Sequence, residues 1–134
     1  MAVQSQSVSG SCLCGGVRYE VDQFERGVVA CHCTQCRKTS GHFVAATQAT
    51  HDNLRMIAER TLKWYRSSDM AERGFCTECG SNLFWRKIGD DVTSIMAGTL
   101  NGPTGLAMQS HIYADDIGDY YTLHDDVPMF TQSD

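Results

Sequence analysis

Between Val17 and Val21 the chain alternates apolar and polar side chains, Val-Arg-Tyr-Glu-Val. This is the period-2 pattern of a strand with one buried face. Leu62-Lys63-Trp64-Tyr65-Arg66 repeats it and sets Leu62 and Trp64 inward, with Lys63 and Arg66 toward solvent. Val28-Val29-Ala30 reads as a strand running into Cys31, and His42 to Thr47 as a well-covered strand of small and β-favouring residues. Further strands are expected at Leu83 to Arg86, Val92 to Ala97 and Gln109 to Tyr113, with turns at Ser67-Ser68-Asp69 and Asn101 to Gly105. No long stretch keeps a helical period, so helix is expected only as single turns near Thr34 and Asp115. The pattern predicts a small, mainly β domain, and Trp64, Trp85 and Phe43 are expected in its core.

The cysteines change that picture. All seven fall into three tight clusters: Cys12-Leu13-Cys14, Cys31-His32-Cys33-Thr34-Gln35-Cys36, and Cys76-Thr77-Glu78-Cys79. Thiols used only for packing would not cluster so, and thiolate ligands at these spacings suit zinc. Along an extended chain, residues two apart leave from the same face. Cys12 and Cys14 therefore converge, as do Cys31 and Cys33, while His32 points the other way into a structural or surface role. A turn after Thr34 brings Cys36 back, and Gly80 lets the last pair close tightly.

The count also carries chemistry. Four thiolates close a tetrahedral site, and three remain for a second metal with one position for water or substrate, the arrangement of reactive zinc. Spacing alone does not sort the clusters, because Cys33 and Cys36 with Cys76 and Cys79 would make a zinc ribbon equally well. Disulfides are the rival use, and the odd number and the lack of a signal peptide argue against them.

At 134 residues the chain is one domain, large enough to bury roughly two-thirds of its unfolded surface. Residues 1 to 9 have neither a basic segment nor an apolar one and read as a flexible leader. No segment is apolar enough to span a membrane, which gives a cytoplasmic expectation. All eleven Lys and Arg lie at or before Lys87, beside eight acids, and the remaining eight acids follow. The acidic total of −5 makes nucleic acid an unsuitable partner. The basic excess of the first part either receives an anionic substrate or neutralises thiolate sites.

Together these residues resemble the glutathione-dependent formaldehyde-activating enzyme and centromere protein V family. The matching pieces are Gly10-Ser11-Cys12-Leu13-Cys14-Gly15-Gly16-Val17, Cys31 to Lys38, and Phe75-Cys76-Thr77-Glu78-Cys79-Gly80-Ser81. His111-Ile112-Tyr113 through Asp126-Val127-Pro128, and Tyr65-Arg66-Ser67-Ser68 with Arg73, add to them. The resemblance covers residues 10–130, leaving 131–134 as a tail. It implies a β-tent fold, two small antiparallel sheets closed over zinc, with two Zn2+ per chain. Cys12, Cys14, Cys76 and Cys79 would form the structural site, and Cys31, Cys33 and Cys36 the second, catalytic one. The implied reaction is that of a carbon–sulfur lyase, joining glutathione or a related thiol to formaldehyde or another small aldehyde as S-(hydroxymethyl)glutathione. Ile117 and Tyr120 stand where the family often has Lys and Trp.

Within that frame Arg37 and Lys38 are the candidates for the substrate's carboxylates, with Arg66 and Arg73 more distant ones. His111 is expected to be a hydrogen-bonded structural residue, and Thr39 and Ser40 turn residues. Two other readings stay open: a non-catalytic module or thiol carrier with two structural zincs, and a redox enzyme using Cys31 to Cys36 as reactive thiols. The sequence sets no oligomeric state.

Overall fold

A computed structural model describes residues 7–133. In chain order the strands are β1 (Val8–Ser11), β2 (Val17–Val21), β3 (Val28–Cys31), β4 (Val44–Thr50) and β5 (Leu54–Glu59). They continue with β6 (Leu62–Arg66), β7 (Ala71–Cys76), β8 (Asn82–Lys87), β9 (Val92–Met96) and β10 (Met108–Ile112). Among the described residues there is one α-helix, α1 (Thr34–Ser40), which follows β3. It has two turns where the residue pattern suggests one. No described helix is long and apolar enough to cross a membrane.

The strands form a three-stranded sheet, β1-β2-β5, and a seven-stranded sheet, β10-β3-β4-β9-β8-β7-β6. The pairing is antiparallel except where β10 lies parallel to β3. Three strands go beyond the expected set. β1 starts at Val8, inside the segment read as leader, β5 pairs with β2, and β7 runs between β6 and β8 into the Cys76 turn.

Side-chain alternation gives the large sheet two buried faces. Phe84, Ile95 and Ala49 pack toward Val17, Tyr19 and Val21 of the small sheet, with Leu62 and Trp64 half-buried at the margin. On the opposite face Val44, Ala46 and Met96 form a second core with Cys36. Strands covered on both faces read as continuous apolar or small-residue runs, which is what β4 and β9 show. Cys12 and Cys76 belong to the core between the sheets and Cys36 to the other. The fold thus sorts the cysteines before any metal is considered.

Candidate metal–thiolate site

The loop after β1 supplies Cys12 and Cys14, and the turn after β7 supplies Cys76 and Cys79. The four Sγ atoms lie within 4.8 Å of one another. Cys14 Sγ is 3.7 Å from Cys12 Sγ and 3.6 Å from Cys76 Sγ. A tetrahedral ion with metal–sulfur bonds of about 2.3 Å has sulfur–sulfur edges of about 3.8 Å, so the spacing fits a four-coordinate metal. The sulfurs also have donors suited to thiolates. Val17 N–H donates to Cys12 Sγ, and the amides of Glu78 and Cys79 donate to Cys76 Sγ. A hydrogen bond with the Thr61 hydroxyl holds the Cys76 thiol below its usual range. Ser81, by hydroxyl and amide, brings Cys79 down to about 5. At Gly80 the backbone has φ 77°, which lets its amide return to the Cys76 carbonyl at 2.9 Å.

Cys31, Cys33 and Cys36 form the second group, again with Sγ atoms within 4.8 Å of one another. Among the described residues no His, Cys, Asp or Glu joins them as a fourth ligand. Cys31 ends β3, Cys33 caps α1, and Cys36 returns one turn later, its N–H donating to Cys33 Sγ at 3.3 Å. Hydrogen bonds from Cys31 and Cys36, and the amides of Cys36 and Gln35, hold the Cys33 thiol down to about 2. The same contact with Cys33 pushes the Cys31 thiol up. The contacts within the trio thus favour the deprotonated form at Cys33 and disfavour it at Cys31. Soft sulfur donors of this kind suit zinc, copper(I) or iron–sulfur chemistry.

The trio opens on a cavity of about 440 Å³ on the outer face of the large sheet. Its walls are mainly apolar, with Val29, Val44, Trp85, Met96 and Ile112, and they carry Arg26, Arg73 and Gln35 as polar groups. Trp85, expected in the core, is half-buried and stands on this wall. Arg37 and Lys38 are not among the lining residues. They follow Cys36 on α1, and each helical residue turns the chain by about 100°, so the helix carries them off the face that presents the sulfur. Arg37 is half-buried and acts electrostatically on Tyr121, and Lys38 is exposed. Arg66 is occupied by the carbonyls of Ser68 and Asp69. Arg73 is the arginine at the sulfurs: only 4% exposed, its Nη2 donates to Cys36 Sγ at 3.5 Å and to Gln35 Oε1 at 3.0 Å.

Behind β3, His32 is fully buried and turned away from the thiols, as the alternation requires. Tyr121 Oη is 3.0 Å from its Nδ1, and its Nε2 is 2.8 Å from His111 Nδ1. His111 Nε2 lies 2.7 Å from Asp125 Oδ2. Phe43 packs against the His32 ring at 4.9 Å. His111 thus has the structural role expected of it. The Asp125 and Tyr121 ends of the row lie in an irregular segment that no sequence period marks.

The fold and its two thiol groups define a two-sheet β domain built around cysteine clusters able to hold metal. The chain belongs to the glutathione-dependent formaldehyde-activating enzyme family, which its residues 7–116 match. A Schizosaccharomyces pombe protein described as an uncharacterized lyase is 29% identical over 123 residues, covering 91% of this chain and 89% of its own length. The crystal structure of a Rhodobacter sphaeroides protein superposes with a TM-score of 0.63 at 23% identity, over 90% of this chain and 98% of that one. That second likeness concerns the fold alone.

Proposed function

We propose that the protein is a zinc-dependent carbon–sulfur lyase that adds glutathione, or a related thiol, to formaldehyde or another small aldehyde. Family membership and the lyase-named yeast relative support a lyase-type function. The observation that carries the finer reading is the three-thiol group opening on a cavity of about 440 Å³, a size suited to a small organic ligand.

In this reading Cys31, Cys33 and Cys36 hold the second zinc, and Cys12, Cys14, Cys76 and Cys79 the structural one. Bound at the trio, zinc would supply a Lewis-acidic position that lowers the pKa of an incoming thiol. The protein's part is positioning. The sulfurs fix one end of the cavity, and Val44, Met96 and Trp85 exclude water. Holding thiol and aldehyde together replaces a bimolecular encounter with an oriented one. No Ser-His-Asp arrangement is needed. Arg37 and Lys38 stand in this reading as outer charges on the helix next to the trio.

The test is a cobalt-substituted protein titrated with glutathione, followed by the exchange rate between glutathione and S-(hydroxymethyl)glutathione measured by NMR. The expected results are two metals per chain, a sulfur-to-cobalt charge-transfer band that grows with glutathione, and exchange faster than in buffer. An unchanged band at millimolar glutathione, or exchange at the uncatalysed rate, would sink the reading.

A further inference from the structure

Arg73 on β7 is one of the most buried charged groups in the molecule, and its hydrogen bonding is half complete. Nη2 donates to Gln35 Oε1 and Cys36 Sγ, while Nε and Nη1 are buried with no acceptor among the described residues. Gln35 is itself oriented, its Nε2 donating to the Ser67 carbonyl at 3.2 Å, which leaves Oε1 for the arginine. None of the described ion pairs includes Arg73; the carboxylates they use belong to Glu20, Asp22, Glu72 and Asp125.

Offsetting the charge of the thiolates explains Nη2 and leaves the rest of the guanidinium unexplained. A guanidinium has five N–H donors, three of them on Nε and Nη1. Donors buried without acceptors are costly, and charged ones more so. Arg73 also lines the cavity beside the trio. Arg26 is a second guanidinium on the same wall.

The geometry points to an anion subsite at Arg73 that takes a carboxylate only a few bonds from the substrate's thiol. The inference rests on the thiol-binding reading above and narrows it. With Arg73 Nη2 3.5 Å from Cys36 Sγ, an acid group held there sits close to a sulfur held at the trio. The cavity then selects short thiol acids over neutral thiols of equal size.

The experiment is calorimetric titration of the metal-loaded protein with 3-mercaptopropionate and with 3-mercaptopropionamide, its neutral isostere. The acid is expected to bind at least about tenfold more tightly, the usual scale of a charge-assisted hydrogen bond. In Arg73→Met the two ligands should bind alike, and Arg73→Lys should recover part of the difference. The wild-type comparison needs no variant, so a misfolded substitution cannot hide the result. Equal affinities in the wild type, or an acid preference that survives in Arg73→Met, overturns the subsite. If glutathione perturbs the cobalt spectrum while 3-mercaptopropionate does not bind, the subsite is wrong and the thiol reading stands. If no thiol binds, both fall.

Discussion

His32 Nε2 and His111 Nδ1 lie 2.8 Å apart, and both rings are closed to solvent. The contact fixes a direction for the whole row. An ionised carboxylate can only accept, so His111 donates from Nε2 to Asp125. With both imidazoles neutral, His111 Nδ1 then accepts from His32 Nε2–H, and His32 Nδ1 accepts from Tyr121 O–H. Because His32 sits between Cys31 and Cys33, the row anchors the strand end that presents two of the three sulfurs. His111→Ala should leave a buried His32 nitrogen without a partner and cost about 2 kcal/mol or more. Tyr121→Phe, at the more open end, should cost less. Urea denaturation of the metal-loaded variants checks both, and equal losses would contradict the order.

Asp125 gives the row a pH dependence of known sign. Its hydrogen bond with His111 holds the carboxyl below the usual carboxylate range. A carboxyl with a depressed folded pKa contributes stability that is fully present above the unfolded value of about 4. That contribution is lost as pH falls through the lower folded value. Carbon-13 NMR should place the Asp125 midpoint below the usual carboxylate range, and His111→Phe should return it toward about 3.9. An Asp125 midpoint unchanged by His111→Phe would refute the assignment.

The two thiol groups able to hold metal are the part of this protein most legible in its sequence. Chelation needs sulfurs two or three residues apart, and nothing else in a core demands that spacing. Strand alternation likewise marks β2 and β6, and it turns His32 away from Cys31 and Cys33. Other parts escape for physical reasons. β5 alternates Leu54, Met56 and Ala58 inward, but exposed Ile57 blurs its pattern. α1 buries only Cys36, so it has no apolar stripe to read; its cap at Cys33 is a property of the thiol group. Arg73 resembles a surface charge, since buried arginines are rare. Only the folded sheet shows that its strand faces the cavity. Asp125 meets His111 through a loop without a repeating pattern, and Arg37 shows the reverse relation, being near the sulfurs in sequence but not on the cavity wall.

The two thiol groups should respond differently to loss of a ligand. Cys12 and Cys14 extend from the small sheet and Cys76 and Cys79 from the large one, so their group ties the sheets together. Cys76→Ser puts a hard oxygen in a soft site at the core between the sheets. It should abolish folding, because a structural zinc contributes on the order of 10 kcal/mol to a small domain. Cys36→Ser alters one cavity wall and leaves that tie intact. It should give a folded chain with one metal fewer and weakened thiol binding. Metal analysis with circular dichroism separates these outcomes, and identical unfolding of both variants would show that the division of roles is mistaken.

Gly10 is required by the side chain opposite it. In the β1–β2 register it faces Tyr19, and a Cβ added there would run into the tyrosine ring. The ring has nowhere to go. Tyr19 is 1% exposed, its hydroxyl is 2.6 Å from Thr99 Oγ1, and its edge meets Phe84 at 5.2 Å between centroids. Overpacking a fixed core costs about 1–3 kcal/mol, so Gly10→Ala should destabilise the protein by about that much. Tyr19→Leu should cost about as much or more through lost packing and the lost hydroxyl bond. Because the two substitutions share one space, the double variant should lose less than the two single losses combined. Chemical denaturation of the four proteins completes the cycle, and strictly additive losses would mean that the ring does not fill the place of the missing side chain.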